Sequence, residues 1–321
     1  MEEHLEFKSL FEPLKIGSMT LKNRFVSYPQ GTGWRIFERE DGAGWWDRQA
    51  YWYAEIAKGG AALVTASDIT PHVSGTGLGF RTIDERDIPH LKKVSKMVHS
   101  NGAKLVQMIH HIGSACQNML HSHPGWTASA IRPCPPIGEM THEMEKEEID
   151  EVVRGYAKTS KVLEQSGYDG VELQGAHGFL IESFLSPFSN KRTDAYGGSL
   201  ENRMRFILEI IDAIRAEVSP EFVLGIAYSP DEGIPGGISI DGEGVEIAKR
   251  LEATGKIDYL AISRGHWIIM PMWIGDATIP SENAVPLAEA VKKAVNIPVS
   301  VVGRIRDAIN AEKILTDTDI D

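Results

Sequence analysis

Seven short apolar runs, spaced along the whole chain, constrain this 321-residue sequence more than any other feature. They are NRFVSYP (23–29), AALVTAS (61–67), KLVQMIH (104–110), GVELQGAH (170–177), FVLGIAYS (222–229), DYLAIS (258–263) and PVSVVG (298–303). Their hydrophobicity is continuous rather than alternating, as in strands of a parallel sheet covered on both faces. Between them, EEIDEVVRGYAKTSKVLEQSG, SLENRMRFILEIIDAIRAEV, DGEGVEIAKRLEATG and AVPLAEAVKKAV carry apolar residues at helical spacing. Ser199 and Asp241 are predicted helix N-caps and Gly255 a helix end. Strand–helix units without a low-complexity linker predict one α/β domain over residues 1–321, a TIM (β/α)8 barrel. A doubly wound sheet fits less well, because no GxGxxG follows the first strand. After the seventh strand come RDAINAEKIL and TDTDID, so the barrel is expected to be truncated before strand eight.

Hydrophobic residues make up 42% of the chain, enough for a barrel-sized core. The net charge of −12 argues against nucleic-acid or anionic-membrane partners, which require clustered Lys and Arg. Cys116 and Cys134 are too few for a disulfide framework or a metal cluster held within the chain, so no metal and a reducing compartment are expected. MEEHLEFKSLFEP lacks a basic segment followed by an apolar one, and no apolar run reaches the ~18 residues of a membrane span. A cytoplasmic protein acting on a small molecule is expected, with homo-oligomerisation left open.

In such a barrel the active site lies at the C-terminal strand ends. There the sequence places Tyr28, Pro29, Gln30 and Gly31, then Ala66 and Ser67, then Gln107, His110 and His111, then Gln174 and His177. Two neutral polar side chains three residues apart, Gln174 and His177, suit a grip on one substrate oxygen where negative charge develops. The same spacing also suits residues that merely satisfy loop backbone groups. Adjacent His110 and His111 are poor joint metal ligands, since neighbouring strand side chains point to opposite faces. Most of the tryptophans read as packing, but Trp267 directly follows a strand end and is a candidate pocket wall.

LFEPLKIG and LKNR near the N-terminus, with FLSPFSNKRTDAYGGSLENRMRF at 184–206, resemble the Old Yellow Enzyme family. The likeness is strongest to its branch of 2,4-dienoyl-CoA reductase, 2-enoate reductase and trimethylamine dehydrogenase, and it runs through nearly the whole chain. It implies an FMN-binding barrel in which hydride passes from NAD(P)H through FMN to an activated alkene, or in which an amine is oxidised. It implies that Tyr28, Pro29, Gln30 and Gly31 lie at the flavin ring, Ala66 and Gln107 at its pyrimidine side, and Gly303 near the phosphate. The family's second phosphate contact, a Gly-Arg at the end of strand eight, is absent from residues 1–321. Gly31 stands where one relative has a flavin-linking cysteine, which implies non-covalent FMN. Gln174 and His177 match the family's substrate-oxygen grips. Phe179 stands where a tyrosine supplies a proton, which leaves His266 or a water as the acid. Ala227 replaces an arginine near the flavin. Trp267 matches a tryptophan of an amine cage, with Met270 where that cage has an acid. Longer relatives also carry an iron-sulfur cluster and a second nucleotide-binding domain, so 4Fe-4S and FAD are expected only in a longer natural chain.

Three readings follow. The first is an ene-reductase-like flavoenzyme acting on an α,β-unsaturated carbonyl. The second is an amine or N-methyl dehydrogenase, which Trp267 favours and Met270 disfavours. The third is a non-catalytic or truncated relative, suggested by Phe179, Ala227 and the missing strand.

Overall fold

The computed structural model describes residues 7–31, 43–76, 80–115, 124–131, 140–269, 271–275 and 277–321. Cys116, Cys134 and Met270 lie outside the described residues. The chain opens with a hairpin of β1 (Leu14–Ile16) and β2 (Met19–Leu21), then β3 (Val26–Ser27), α1 (Ala43–Lys58), β4 (Leu63–Ile69), α2 (Ile88–His99) and β5 (Lys104–Ile109). A small pair, β6 (Trp126–Thr127) and β7 (His142–Glu143), precedes α3 (Lys146–Gln165), β8 (Gly170–Gly175), α4 (Leu180–Leu185) and α5 (Leu200–Glu217). The remainder runs β9 (Val223–Tyr228), α6 (Val245–Ala253), β10 (Tyr259–Ile262), α7 (Val285–Lys292), β11 (Val299–Val301) and α8 (Ala308–Asp317).

The seven sequence-predicted strands form one parallel sheet in chain order, β3-β4-β5-β8-β9-β10-β11. The sheet curls until its two edges face each other, because the hydroxyl of Tyr28, just beyond β3, lies 2.7 Å from Oγ of Ser300 in β11. Between those edges runs a slot of about 460 Å³, lined by Arg24 and Val26 on one side and by Ser300, Gly303, Arg304 and Arg306 on the other. Among the described residues no strand lies between β11 and β3. The architecture is therefore a TIM-type barrel, open along that one seam.

Residues of alternate parity divide the core. Leu105, Ile109, Leu173, Leu224 and Ile262 pack in the layer shared with the helices. Val106, Met108, Val223, Tyr259 and Ala261 fill the lumen, which Ile16, Met19 and Leu21 of the hairpin close from below. Gly225 makes room in that lumen, since a Cβ there would stand 2.1 Å from Cζ of Tyr259. The Tyr259 ring thereby reaches across to the carboxylate of Glu172 at 2.9 Å.

Ser199 caps α5 as expected, accepting the Asn202 N–H at 3.3 Å. Asp241 does not cap α6. A wide turn over Ile240–Gly244, with Gly242 outside helical geometry, intervenes before the helix starts at Val245. The close approach of the Pro230 carbonyl, 2.3 Å from where a Gly244 Cβ would be, holds that turn against the sheet. Gly255 ends α6 in the left-handed region at φ +64°, where glycine carries no Cβ penalty.

Candidate active site

Strand β8 runs into a sharp turn, Ala176-His177-Gly178-Phe179, before α4. His177 and Gly178 are both left-handed, at φ +65° and +77°. A histidine there is uncommon, so the surroundings must impose the conformation. The Trp267 N–H donates to the His177 carbonyl at 2.9 Å, and the His177 N–H donates to Ser229 Oγ at 3.3 Å. The Gly178 N–H donates to the Glu182 carboxylate, and Ser114 Oγ donates to the Gly178 carbonyl at 3.0 Å. Four different segments thus hold two residues.

The His177 ring is buried, with Nε2 at 2.7 Å from Ser263 Oγ and Nδ1 lacking a hydrogen-bond partner among the described residues. Burial, with His110 and His266 nearby, pushes its pKa down to about 3, so it is neutral near pH 7. Gln174 behaves differently. By strand alternation it shares the lumen side with Glu172, and its Oε1 accepts the Ala176 N–H at 3.3 Å. Gln174 Oε1 therefore braces its own turn, which leaves its Nε2 donors, the atoms an oxygen grip would use, outside that bond.

Phe179 sits under the turn among aromatic rings. Its centroid lies 4.2 Å from His110, 5.8 Å from Trp273 and 6.2 Å from His177. Phe80 lies 4.5 Å beyond His110. His110 is held neutral by burial, its pKa lowered to about 3, and its Nε2 has no partner among the described residues. The adjacent His111 faces elsewhere, bonding Ser74 Oγ at 2.9 Å and the Gly113 N–H at 3.2 Å. Trp267 flanks the same turn: its indole N–H donates to Ser114 Oγ at 2.9 Å and its ring stacks on His266 at 6.1 Å. Trp273, read from sequence as packing, lies against the rings of His177 and Phe179.

His266 is buried against Gly178, where an added Cβ would fall 2.0 Å from its Nε2. Its Nδ1 accepts the Ile268 N–H at 3.3 Å, which assigns the proton to Nε2. Burial lowers its pKa to about 4, so near neutral pH it offers a neutral N–H rather than an imidazolium.

The cofactor candidates meet the same test unevenly. Gly303, at φ +157°, has Asn283 Oδ1 2.6 Å from where a Cβ would be. Beside it a cavity of about 90 Å³ is lined by Ser263, Arg264, Asn283, Gly303 and Arg304. Arg264 pairs with Asp231 through Nη2 at 3.7 Å, while its buried Nε has no partner among the described residues. Two guanidinium groups beside side-chain-free backbone form a donor set that suits phosphate oxygens. At the ring end, Ala66 is buried, Pro29 is half-buried, and Gln30 and Gly31 are exposed. The amide nitrogen of Gln107 donates to the carbonyls of Ala66, Ser67 and Met108 at 3.2, 3.0 and 3.0 Å. It knits the ends of β4 and β5 together, so any bond from it towards a flavin ring would be traded against these.

Buried carboxyls were not singled out from sequence. Glu172 in the lumen has its pKa raised to about 7 by burial. Burial raises Glu182 well above its ordinary value and Glu232 to about 7. Among the described residues, no group of three or more His, Cys, Asp or Glu is arranged to hold a metal ion.

A curled parallel sheet with polar side chains gathered at the C-terminal ends of its strands is the architecture of an α/β-barrel enzyme that carries its site at that mouth. The chain matches the NADH:flavin oxidoreductase / NADH oxidase family over residues 9–321 and belongs to it, as the Old Yellow Enzyme resemblance implied. FMN, with a reduced nicotinamide as donor, is the cofactor set of this class. An NADH oxidase from Thermoanaerobacter brockii is 34% identical over 97% of this chain and 47% of its own length. An N,N-dimethylglycine/sarcosine dehydrogenase from Chromohalobacter salexigens is 33% identical over 97% of this chain and 45% of its own. Among solved structures, a 2-naphthoyl-CoA reductase in complex with 2-naphthoyl-CoA superposes with a TM-score of 0.88 at 29% identity, covering 98% of this chain and 50% of that one. The chain spans about half the length of the curated relatives it matches. No helix among the described residues is long and apolar enough to cross a membrane.

Proposed function

We propose that residues 1–321 form one barrel domain that binds FMN non-covalently and passes hydride from NAD(P)H to the electron-poor alkene of an α,β-unsaturated carbonyl compound, acting in the cytoplasm on a small molecule. The observation that carries this reading is His177: a buried, neutral imidazole, forced into a left-handed turn at the end of β8, with one ring nitrogen unpartnered. Bound FMN supplies the two-electron carrier between nicotinamide and alkene. Arg264, Arg304 and the Gly303 backbone would hold its phosphate, and the stretch Tyr28–Gly31, Ala66 and Gln107 would border its ring. His177 holds the carbonyl oxygen and stabilises the negative charge that develops there as hydride arrives. Phe179, with Trp273, keeps the acceptor flat and excludes water, but it has no proton to give. That proton comes from His266 Nε2 or from a water.

A second reading, amine or N-methyl oxidation, is favoured by the convergence of Phe179 and Trp273 into an aromatic wall. One relative named as an N,N-dimethylglycine/sarcosine dehydrogenase is compatible with it. Anaerobic reduction of the FMN-loaded protein decides between them. Bleaching by NAD(P)H followed by reoxidation with a conjugated enone or enoyl thioester supports the first. Bleaching by dimethylglycine or sarcosine without nicotinamide supports the second, and bleaching by neither overturns both.

A further inference from the structure

The left-handed turn at His177 and Gly178 has all four of its backbone polar groups taken, and two of those bonds trace to one residue of another loop. Trp267, beyond β10, donates its backbone N–H to the His177 carbonyl at 2.9 Å. Its indole N–H donates to Ser114 Oγ at 2.9 Å, and Ser114 Oγ donates to the Gly178 carbonyl at 3.0 Å. The direction of each bond is forced. An indole N–H can only donate and a carbonyl can only accept, so the hydroxyl between them accepts from one and gives its proton to the other. Ser114 is itself fixed in place. It is buried, and the short turn Gly113–Ala115 that carries it lies so close to α4 that a Cβ on Gly113 would stand 2.7 Å from the Leu180 nitrogen. The His111 carbonyl accepts that same Leu180 N–H at 3.2 Å. Loops following β5, β8 and β10 therefore meet at a single hydroxyl.

We infer that Ser114 and Trp267 are positioning residues, a clamp that holds the His177–Gly178 turn left-handed and so fixes where the His177 ring stands at the barrel mouth. The clamp gives Trp267 a task that its place in the sequence did not suggest. It acts through its two N–H groups on the turn's carbonyls, one directly and one through Ser114, and not through its ring face on a substrate. The inference rests on the reading that His177 touches substrate, and it extends that reading to residues that do not. A histidine disfavours left-handed backbone, so a turn at this φ persists only while its surroundings outweigh the strain. Removing the Ser114 hydroxyl breaks two hydrogen bonds at once and leaves both the Gly178 carbonyl and the Trp267 indole N–H without that partner. The turn then relaxes, and the His177 ring moves with the backbone that carries it.

Two measurements on the FMN-loaded protein test the clamp. In the first, NMR follows hydrogen exchange of the indole N–H groups in nitrogen-15 tryptophan-labelled protein, the Trp267 signal being identified by its loss in Trp267→Phe. That N–H is expected to exchange about tenfold faster in Ser114→Ala than in the native protein, the scale of one lost hydrogen bond. In the second, anaerobic stopped-flow follows reoxidation of the reduced flavin by cyclohexenone, at matched flavin content and circular dichroism. Ser114→Ala should lower the limiting rate about tenfold, as a misplaced contact does, with reduction by NAD(P)H changed less than about twofold. Trp267→Phe keeps the backbone N–H and removes only the indole donor. Added to Ser114→Ala it should lower the rate no further, because the two side chains act in series on one carbonyl. Effects that multiply in the double variant make Trp267 a substrate contact in its own right and overturn the inference. So does a native rate in Ser114→Ala while His177→Ala is slow, or indole exchange that Ser114→Ala leaves unaltered. If Ser114→Ala does not retain flavin, the nearly isosteric Ser114→Cys, a weaker donor, takes its place under the same criteria. A native rate in His177→Ala instead overturns the substrate contact itself, while indole exchange still reports the clamp.

Discussion

Glu172 sits in the barrel lumen, fully buried, with Oε2 accepting the Tyr259 hydroxyl at 2.9 Å and Oε1 without a partner among the described residues. Desolvation raises its pKa from 4.5 to about 7, the single Tyr259 bond pulling weakly the other way. Below about pH 4.5 the group is protonated in both folded and unfolded chains and carries no penalty. Between about pH 4.5 and 7 the unfolded chain releases a proton that the folded chain still holds, so stability falls as pH rises. Above about pH 7 both forms are ionised and the penalty stays constant, at about 3 kcal/mol for a pKa displaced this far. Glu172→Gln removes the ionisable group, retains an acceptor for Tyr259 and changes little volume. Relative to the native protein, its stability should therefore improve by about 2.5 kcal/mol between about pH 5 and about pH 8. Glu182 and Glu232 titrate in both proteins and cancel in the difference. Equilibrium urea denaturation followed by tryptophan fluorescence would register this as a relative midpoint shift on the order of 0.5–1 M. If the two stabilities run parallel across that pH range, the carboxyl ionises in the lumen as freely as in water and the reasoning fails.

Other substitutions probe the same framework. Gly225→Ala would put a methyl 2.1 Å from Tyr259 Cζ and drive the ring off Glu172, so a loss of about 1–3 kcal/mol in the same denaturation assay is expected. Gln107→Ala removes the amide joining β4 to β5. It should cost about 1–3 kcal/mol of stability and weaken FMN retention, whereas unchanged flavin affinity would make Gln107 a purely structural residue. Phe179→Tyr supplies the missing hydroxyl, and stopped-flow should show reoxidation by a conjugated enone about tenfold faster or more, with reduction by NAD(P)H unchanged. Equal rates would mean that protonation does not limit that half-reaction.

Each of the seven parallel strands was legible in the sequence, because a strand covered on both faces must be apolar along its whole length and these runs are. Ser199 and Gly255 were equally readable, since capping and left-handed geometry depend on the residue and its immediate neighbours. The strand-end position of His177 followed from the same logic. The hairpin closing the lumen was missed, because three-residue strands carry too little pattern to separate from a loop. Asp241 misled because its local capping chemistry was overridden by the packing of Gly244 against Pro230. The curling of the sheet, the contact of Trp273 with Phe179, the spending of the Gln107 amide nitrogen on backbone carbonyls and the pairing of His177 with Ser263 were settled only by tertiary structure. Those outcomes join residues tens of positions apart, and which partner a side chain meets across a barrel depends on strand register and tilt. Periodicity along one strand records which face a residue occupies but carries no information about which neighbour it finds there.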